Sequence, residues 1–186
     1  RATVLIHGGA SGVGTAALQL CRAAGLTAYC TVGDDARAER CRELGAQHTI
    51  DYRNEDFVAR VLELGGADVI FDIMGASYLD RNVDALAADG QLVIIGMQGG
   101  VKGELNIGKL IGKRARVIGT ALRGRPVDGP MGKADIVAAT VGAVWPMIGD
   151  GRVQPVIGAT MPVQQAGEAH ALLAAAAVTG KVVLTV

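Results

Sequence analysis

An α/β fold, an open parallel sheet with helices on both faces, is predicted by three features of this sequence. Short and almost uniformly apolar runs, such as residues 3–7, 27–32 and 67–72, alternate with longer segments of helical periodicity. A strand without a polar face must be covered on both sides, and parallel sheets flanked by helices do this. The segments between the runs are long enough to be crossover helices, and right-handed crossovers make the sheet doubly wound. Half of the 186 residues are hydrophobic and 19% are charged, ample for one core and too few for two full-sized domains.

Residues 3–7 read as the first strand, 12–24 as a helix with small and apolar residues on one face, and 27–32 as the second strand, which completes one βαβ unit. The next helix is expected over residues 34–44. Asp34 can cap its start, Arg40 and Arg42 complement its carboxyl end, and Gly45 can stop it. A short strand at 46–50, a helix at 56–64, a buried strand at 67–72, a helix at 78–88 and a strand at 91–96 continue the alternation. Past Gly100 the pattern loosens into a short helix at 105–111, a strand at 116–122, a Gly/Pro loop at 124–132, a helix at 133–148 and a final helix-strand pair ending in residues 181–186. There is no internal repeat.

Composition excludes several classes of function. Eighteen Lys and Arg balance eighteen Asp and Glu, so no basic field draws in nucleic acid or an anionic membrane. The apolar runs are too short to span a bilayer, and the start lacks a signal-peptide pattern, so a cytoplasmic location is expected. Cys21, Cys30 and Cys41 are odd in number, lack a C-x-x-C pair and read as reduced thiols in the core. His7, His48 and His170 lack ligand spacing, and no metal site is expected. Lys109, Lys113, Arg114 and Arg116 read as a solvated helix end in preference to a phosphate-binding face, and Trp145 as a packing or interface anchor. The chain opens inside a strand, and it is expected to be a fragment with active-site residues upstream.

Chemistry is concentrated in the turn His7-Gly-Gly-Ala-Ser-Gly-Val-Gly14. A pyrophosphate needs backbone N–H groups at a helix start, and glycines let the main chain approach it. Three frames fit: Gly9-x-Ser11-x-x-Gly14 with Ser in the second glycine slot, Gly12-x-Gly14-x-x-Ala17, and Gly8-x-x-x-Gly12-x-Gly14, the short-chain dehydrogenase spacing. The turn follows a strand and opens a helix inside a βαβ unit, the context that a Rossmann-type dinucleotide site requires. Short-chain dehydrogenases also need Tyr-x-x-x-Lys, and none of Tyr29, Tyr52 or Tyr78 has Lys four residues on. No self-contained acid/base pair remains, so the catalytic residues are unknown and the substrate groups are expected from elsewhere.

The runs V-L-I-H-G-G-A-S-G-V-G-T-A-A-L-Q-L, E-L-G-A-Q-H-T-I-D-Y-R-N-E-D-F, D-V-I-F-D-I-M-G, D-G-Q-L-V-I-I-G and G-K-V-V-L resemble, in order and over the whole length, the zinc-free quinone oxidoreductases of the medium-chain dehydrogenase/reductase superfamily. The resemblance implies a preceding GroES-like substrate domain. It divides the chain into a dinucleotide-binding domain at 1–152 and a tail at 153–186 that packs on that missing domain. It implies that Gly9, Ser11, Gly12, Val13 and Gly14 form the pyrophosphate turn. Tyr52 then lies against the adenosine phosphate with Arg37 in the slot of a paired Lys, and Asp72 to Gly75 form the turn by the nicotinamide ribose. Gly96, Met97 and Gln98 lie beside the nicotinamide, and Thr120 to Arg123, Leu122 among them, and Lys181 approach the ring and the cofactor's outer side. A homodimer through the edge strand at 116–122 is also implied.

For the cofactor, the slot of an NAD-type acid aligns with Val32, which permits NADP. Asp34, where relatives often have Ser, is also near the distance of an NAD-type acid from Gly14. Arg37 and Tyr52 favour NADPH, Asp34 leaves NAD open, and Asp34 as a simple helix cap is the other reading. The expected chemistry is hydride transfer from NADPH to a quinone or conjugated carbonyl, with enoyl reduction or a non-catalytic NAD(P)-binding module as alternatives.

Overall fold

The computed structural model describes residues 1–186. The first unit is β1 (Thr3–Ile6), α1 (Gly12–Ala23) and β2 (Thr27–Val32). It is followed by α2 (Asp35–Leu44), β3 (His48–Asp51), α3 (Phe57–Glu63) and β4 (Ala67–Asp72). A 3-10 turn at Gly75–Tyr78 leads into α4 (Leu79–Ala85) and β5 (Leu86–Ile94), then α5 (Ile107–Lys113) and β6 (Arg116–Gly119). The chain closes with α6 (Lys133–Gly149), β7 (Ile157–Pro162), α7 (Ala166–Ala174) and β8 (Lys181–Thr185).

Six strands form one parallel sheet in the order β3-β2-β1-β4-β5-β6. Successive side chains on a strand point to opposite faces, and each face is covered by helices. Val4, Ile6 and Cys30 pack with Leu18 of α1 and Cys41 and Leu44 of α2 on one side. Leu5, Tyr29 and Ile70 pack with Phe57 and Val61 of α3 on the other. This is the doubly wound Rossmann arrangement expected from the apolar strands, and no helix is long and apolar enough to cross a membrane.

Several boundaries differ from expectation for reasons that are not local. The strand expected at 46–50 begins at His48 because the chain is still closing α2: Gly45 has φ 121°, and Ala46 N–H donates to Cys41 O at 2.9 Å. The helix expected at 78–88 stops at Ala85, because Leu86 pairs with Ala67 and enters the sheet. The strand then kinks at Asp89, φ 65°, whose carboxylate is held by Arg114 at 2.7 and 2.8 Å. Strands β5 and β6 end at Ile94 and Gly119, short of residues 96 and 122, because Asp72, Ile94 and Gly119 form the last rung of the sheet. Helix α5 starts two residues late, where Asn106 accepts Lys109 N–H at 3.2 Å. Of the basic cluster, Lys109 and Lys113 form a clamp, while Arg114 and Arg116 are exposed as expected of a solvated helix end. Lys109 Nζ reaches Asp80 at 2.7 Å and Asp84 at 2.8 Å, and Lys113 Nζ donates to Asp84 O at 2.6 Å, which ties α5 to α4.

Strand β7 departs from the expected pattern, and with β8 it forms a separate two-stranded parallel sheet. This tail is stitched to the first βαβ unit. Gln19 and Gln154 exchange two hydrogen bonds of 2.9 Å, Val153 is buried, and Gly180 N–H donates to Ala10 O at 3.0 Å. Helix α6, in contrast, buries no residue, and Val137 and Trp145 on it are more than half exposed.

Candidate functional site

Strand order reverses between β1 and β4, and loops that leave the two strands diverge to opposite sides, which opens a crevice at their carboxyl ends. A cleft of about 470 Å³ occupies this crevice. Ser11 and Gly12 line its centre, Gly33, Arg37 and Tyr52 one end, and Ile73, Met74 and Gln98 the other.

The centre is shaped by three glycines that the structure uses differently. A Cβ on Gly14 would lie 2.6 Å from Gly9 O and closer still to Gly8 O, so helix and turn could not meet as they do. One on Gly9 would lie 2.6 Å from Cys30 Sγ and 3.2 Å from Cys41 Sγ, two free, buried thiols directly beneath the turn. The neighbouring Cys41 sulfur and deep burial hold the Cys30 thiol far above the usual thiol range. Gly12 instead faces outward, under the side chain of Lys181, whose Nζ lies 2.7 Å from where its Cβ would be. Ser11 is the N-cap of α1: its Oγ accepts Gly14 N–H at 3.0 Å, which explains a serine in a glycine slot. The first-turn N–H groups of Gly12 and Val13 have no partner within the helix. Together with the ammonium of Lys181, which forms no ion pair, they make a positive cradle for an anion.

At the end lined by Gly33, Arg37 and Tyr52, the Tyr52 hydroxyl stands over Gly33, 3.0 Å from where a Cβ there would be. Arg37 is paired: its Nη1 lies 2.9 Å from Asp34 Oδ2, while Asp34 Oδ1 caps α2 by accepting Arg37 N–H at 2.8 Å. Arg53, which sequence reasoning passes over although it adjoins Tyr52, holds its guanidinium 6.0 Å from the Tyr52 ring centroid. At the other end, Asp72 is fully buried and accepts N–H bonds from Met74 at 2.9 Å and Gly75 at 2.8 Å. Gly75, φ 72°, packs against Gly96 O and the Cα of Met97, and Gln98 N–H donates to Ile73 O at 3.1 Å. Asp72, Gly75 and Gly96 therefore shape the two turns, and Gln98 lines the cleft. The Met97 side chain is 64% exposed, and it lies outside the cleft lining, as does Leu122, which follows β6.

The floor of the cleft is a polar chain that sequence reasoning does not reach. Gly8 N–H donates to Thr31 Oγ1, which leaves that hydroxyl to donate to His7 Nδ1 at 3.2 Å, while His7 Nε2 donates to Asn82 Oδ1 at 2.7 Å. His7 and Asn82 are 75 positions apart, so no local signal links them. Burial pushes the imidazole below its ordinary 6.5, and Arg81 adds to this, against the opposing pull of the Asn82 bond and the Asp72 charge. Unfolding releases a histidine that takes up a proton near 6.5 while the folded one resists until lower pH, so stability is lost as pH falls below 6.5. Urea unfolding at pH 7.5 and at lower pH should show this group removing up to about 1.4 kcal/mol per pH unit below 6.5. An NMR titration in which His7 protonates at or above 6.5 would reject it.

Comparison with known proteins agrees with this geometry. Residues 12–139 match the zinc-binding dehydrogenase family. The chain is 31% identical to a quinone oxidoreductase of Pseudomonas aeruginosa, over 98% of this chain and 56% of that protein. It is 28% identical to a 2-haloacrylate reductase of Burkholderia, over 97% of this chain and 54% of that one. The solved Escherichia coli quinone oxidoreductase complexed with NADPH superposes with a TM-score of 0.85 at 27% identity, covering 100% of this chain and 57% of that one. The chain thus spans a little over half the length of these relatives. No three His, Cys, Asp or Glu side chains converge in a way that could hold a metal. With a crevice at the switch point of a Rossmann sheet and a family match over most of its length, the chain belongs to the zinc-binding dehydrogenase family, and it is similar to the cofactor-binding part of the quinone oxidoreductases.

Proposed function

We propose that the cleft binds NADPH in preference to NADH, and that this chain is the cofactor-binding half of an enzyme that transfers hydride to a quinone or another conjugated carbonyl. The observation that carries the reading is the cleft itself: a helix start capped by Ser11 at its centre, with the Lys181 side chain next to Gly12, and Tyr52 and Arg37 at the end where an adenosine phosphate would lie. Ser11, Gly12 and Val13 would hold the pyrophosphate with Lys181 above it, Tyr52 and Arg37 the adenosine phosphate, and the turns built by Asp72 and Gly96 the nicotinamide end. When bound, the nicotinamide supplies the hydride, and this chain orients it and excludes water from its inner face.

Neither a proton donor nor a substrate pocket is assigned within this chain, and both are expected from a GroES-like domain elsewhere in the protein. The uncovered face of α6 with Trp145, together with the tail at 153–186, would pack on that domain. The free edge of β6 would pair two copies into a homodimer. A cytoplasmic setting suits a chain with this cofactor. A second acceptor class, an electron-poor carbon–carbon double bond as in enoyl reduction, is favoured by similarity to a protein named 2-haloacrylate reductase.

Parallel titrations with NADPH and NADH, read by nicotinamide fluorescence, test the reading. Arg37→Ala should weaken NADPH binding about 10- to 100-fold, the value of a charge-assisted contact, and change NADH binding by less than about threefold. Binding of neither dinucleotide to the parent chain, or equal loss of both in the variant, would overturn it.

A further inference from the structure

We infer that Asn82 is a positioning residue for dinucleotide binding, acting through His7 and Thr31 on the Gly8-Gly9 segment of the glycine turn. The inference rests on the reading that the cleft binds NAD(P)H.

Thr31, on β2, holds both amides of that segment. Its hydroxyl oxygen accepts Gly8 N–H at 3.1 Å, and its carbonyl accepts Gly9 N–H at 3.0 Å. Gly8 has φ 71°, and its own carbonyl accepts Ser11 N–H at 3.0 Å, so the course of the chain into α1 is set from Thr31. The amides of Gly8 and Gly9 are thereby engaged by the sheet, and an anion is left to the helix start at Gly12 and Val13. His7 and Thr31 line the cleft but are only 1% and 3% exposed, so their part is to hold the main chain beside them.

A hydroxyl has one proton. With Gly8 N–H on Thr31 Oγ1, that proton goes to His7 Nδ1 at 3.2 Å, which requires an imidazole protonated on Nε2. Asn82 Oδ1, 2.7 Å from His7 Nε2, selects that tautomer. Asn82 is fully buried in α4, and its Nδ2 has no hydrogen-bond partner. An apolar side chain of similar volume would remove this unpaired donor, so the amide is kept for the acceptor it presents to His7.

Without Asn82 the imidazole proton is free to move to Nδ1. It would then point at Thr31 Oγ1, which Gly8 N–H already occupies, and the hydroxyl proton would be displaced from the chain. The turn would lose its fixed anchor, and binding would weaken alike for NADPH and NADH, because both carry the same pyrophosphate.

Fluorescence titration of Asn82→Leu, Thr31→Val and Thr31→Ser with both dinucleotides tests this, with thermal unfolding to check that each variant folds. Asn82→Leu and Thr31→Val should raise both dissociation constants about 5- to 10-fold, the value of one hydrogen bond. Thr31→Ser, which keeps the hydroxyl, should stay within about threefold of the parent. NMR of the imidazole ring nitrogens reads the tautomer: His7 should carry its proton on Nε2 in the parent and lose that preference in Asn82→Leu, a change that a purely structural role for Asn82 does not require. Unchanged binding in a folded Asn82→Leu or Thr31→Val variant overturns the inference. So does equal loss in Thr31→Val and Thr31→Ser, a loss confined to one dinucleotide, or a parent His7 protonated on Nδ1, the last of which can be read without any variant. Failure of the parent to bind either dinucleotide strikes instead at the reading of the cleft, which the His7 tautomer does not test.

Discussion

Gly14→Ala should abolish dinucleotide binding and lower stability by on the order of 3 kcal/mol, the cost of forcing a methyl group into packed main chain. The added Cβ would meet Gly9 O at 2.6 Å and the Gly9 carbonyl carbon at 2.7 Å, with Gly8 O nearer still. All three belong to the backbone of the same turn, and backbone cannot rotate aside as a side chain can. For a chain of this size the melting temperature should fall by about 6–12 °C. Gly12→Ala is the control that separates folding from binding. Its Cβ meets only the far end of Lys181, a flexible side chain, so stability should stay within about 0.5 kcal/mol of the parent. NADPH binding should still weaken about tenfold, since the ammonium is pushed from the anion cradle. Thermal unfolding and fluorescence titration of both variants decide the matter, and equal destabilisation by the two would sink the distinction.

Asp72→Ala should be nearly as damaging, through a different cause. Asp72 is fully buried, and its carboxylate is the acceptor for the N–H groups of Met74 and Gly75. Alanine leaves both amides without an acceptor where the turn bends at Gly75, with an expected loss of about 3 kcal/mol. The turn and the loop at Gly96 and Met97 pack on one another, so this end of the cleft should loosen while the end at Arg37 and Tyr52 stays intact. Binding of NADPH should weaken at least about tenfold, and adenosine 2′,5′-bisphosphate, which lacks the nicotinamide, should bind within about twofold of the parent. Equal loss for both ligands would place the effect in global stability and not in that turn.

Parts of the site that depend on neighbours in the chain are legible from the residues alone. The glycine turn, with Ser11 in a glycine slot, follows from its strand-to-helix context, whereas Ser11 as the cap of α1 is seen only in the fold. Asp34 reads both as a cap and as a ribose ligand; in the fold it caps α2 and pairs with Arg37. Helix boundaries set by distant partners are not legible in this way. Residues 78–88 have helical periodicity throughout, and only pairing with Ala67 draws Leu86 into the sheet.

Alternating apolar strands, crossover helices and the glycine turn were determined by the sequence itself, because periodicity, caps and turn conformations depend on residues a few positions apart. Tertiary structure alone decided that Lys181 crosses above Gly12, that His7 reaches Asn82, and that Lys109 and Lys113 clamp α5 rather than bind phosphate. Each of these contacts joins segments brought together by the order of the strands. No pattern within a single segment records which side chain will stand across a parallel sheet.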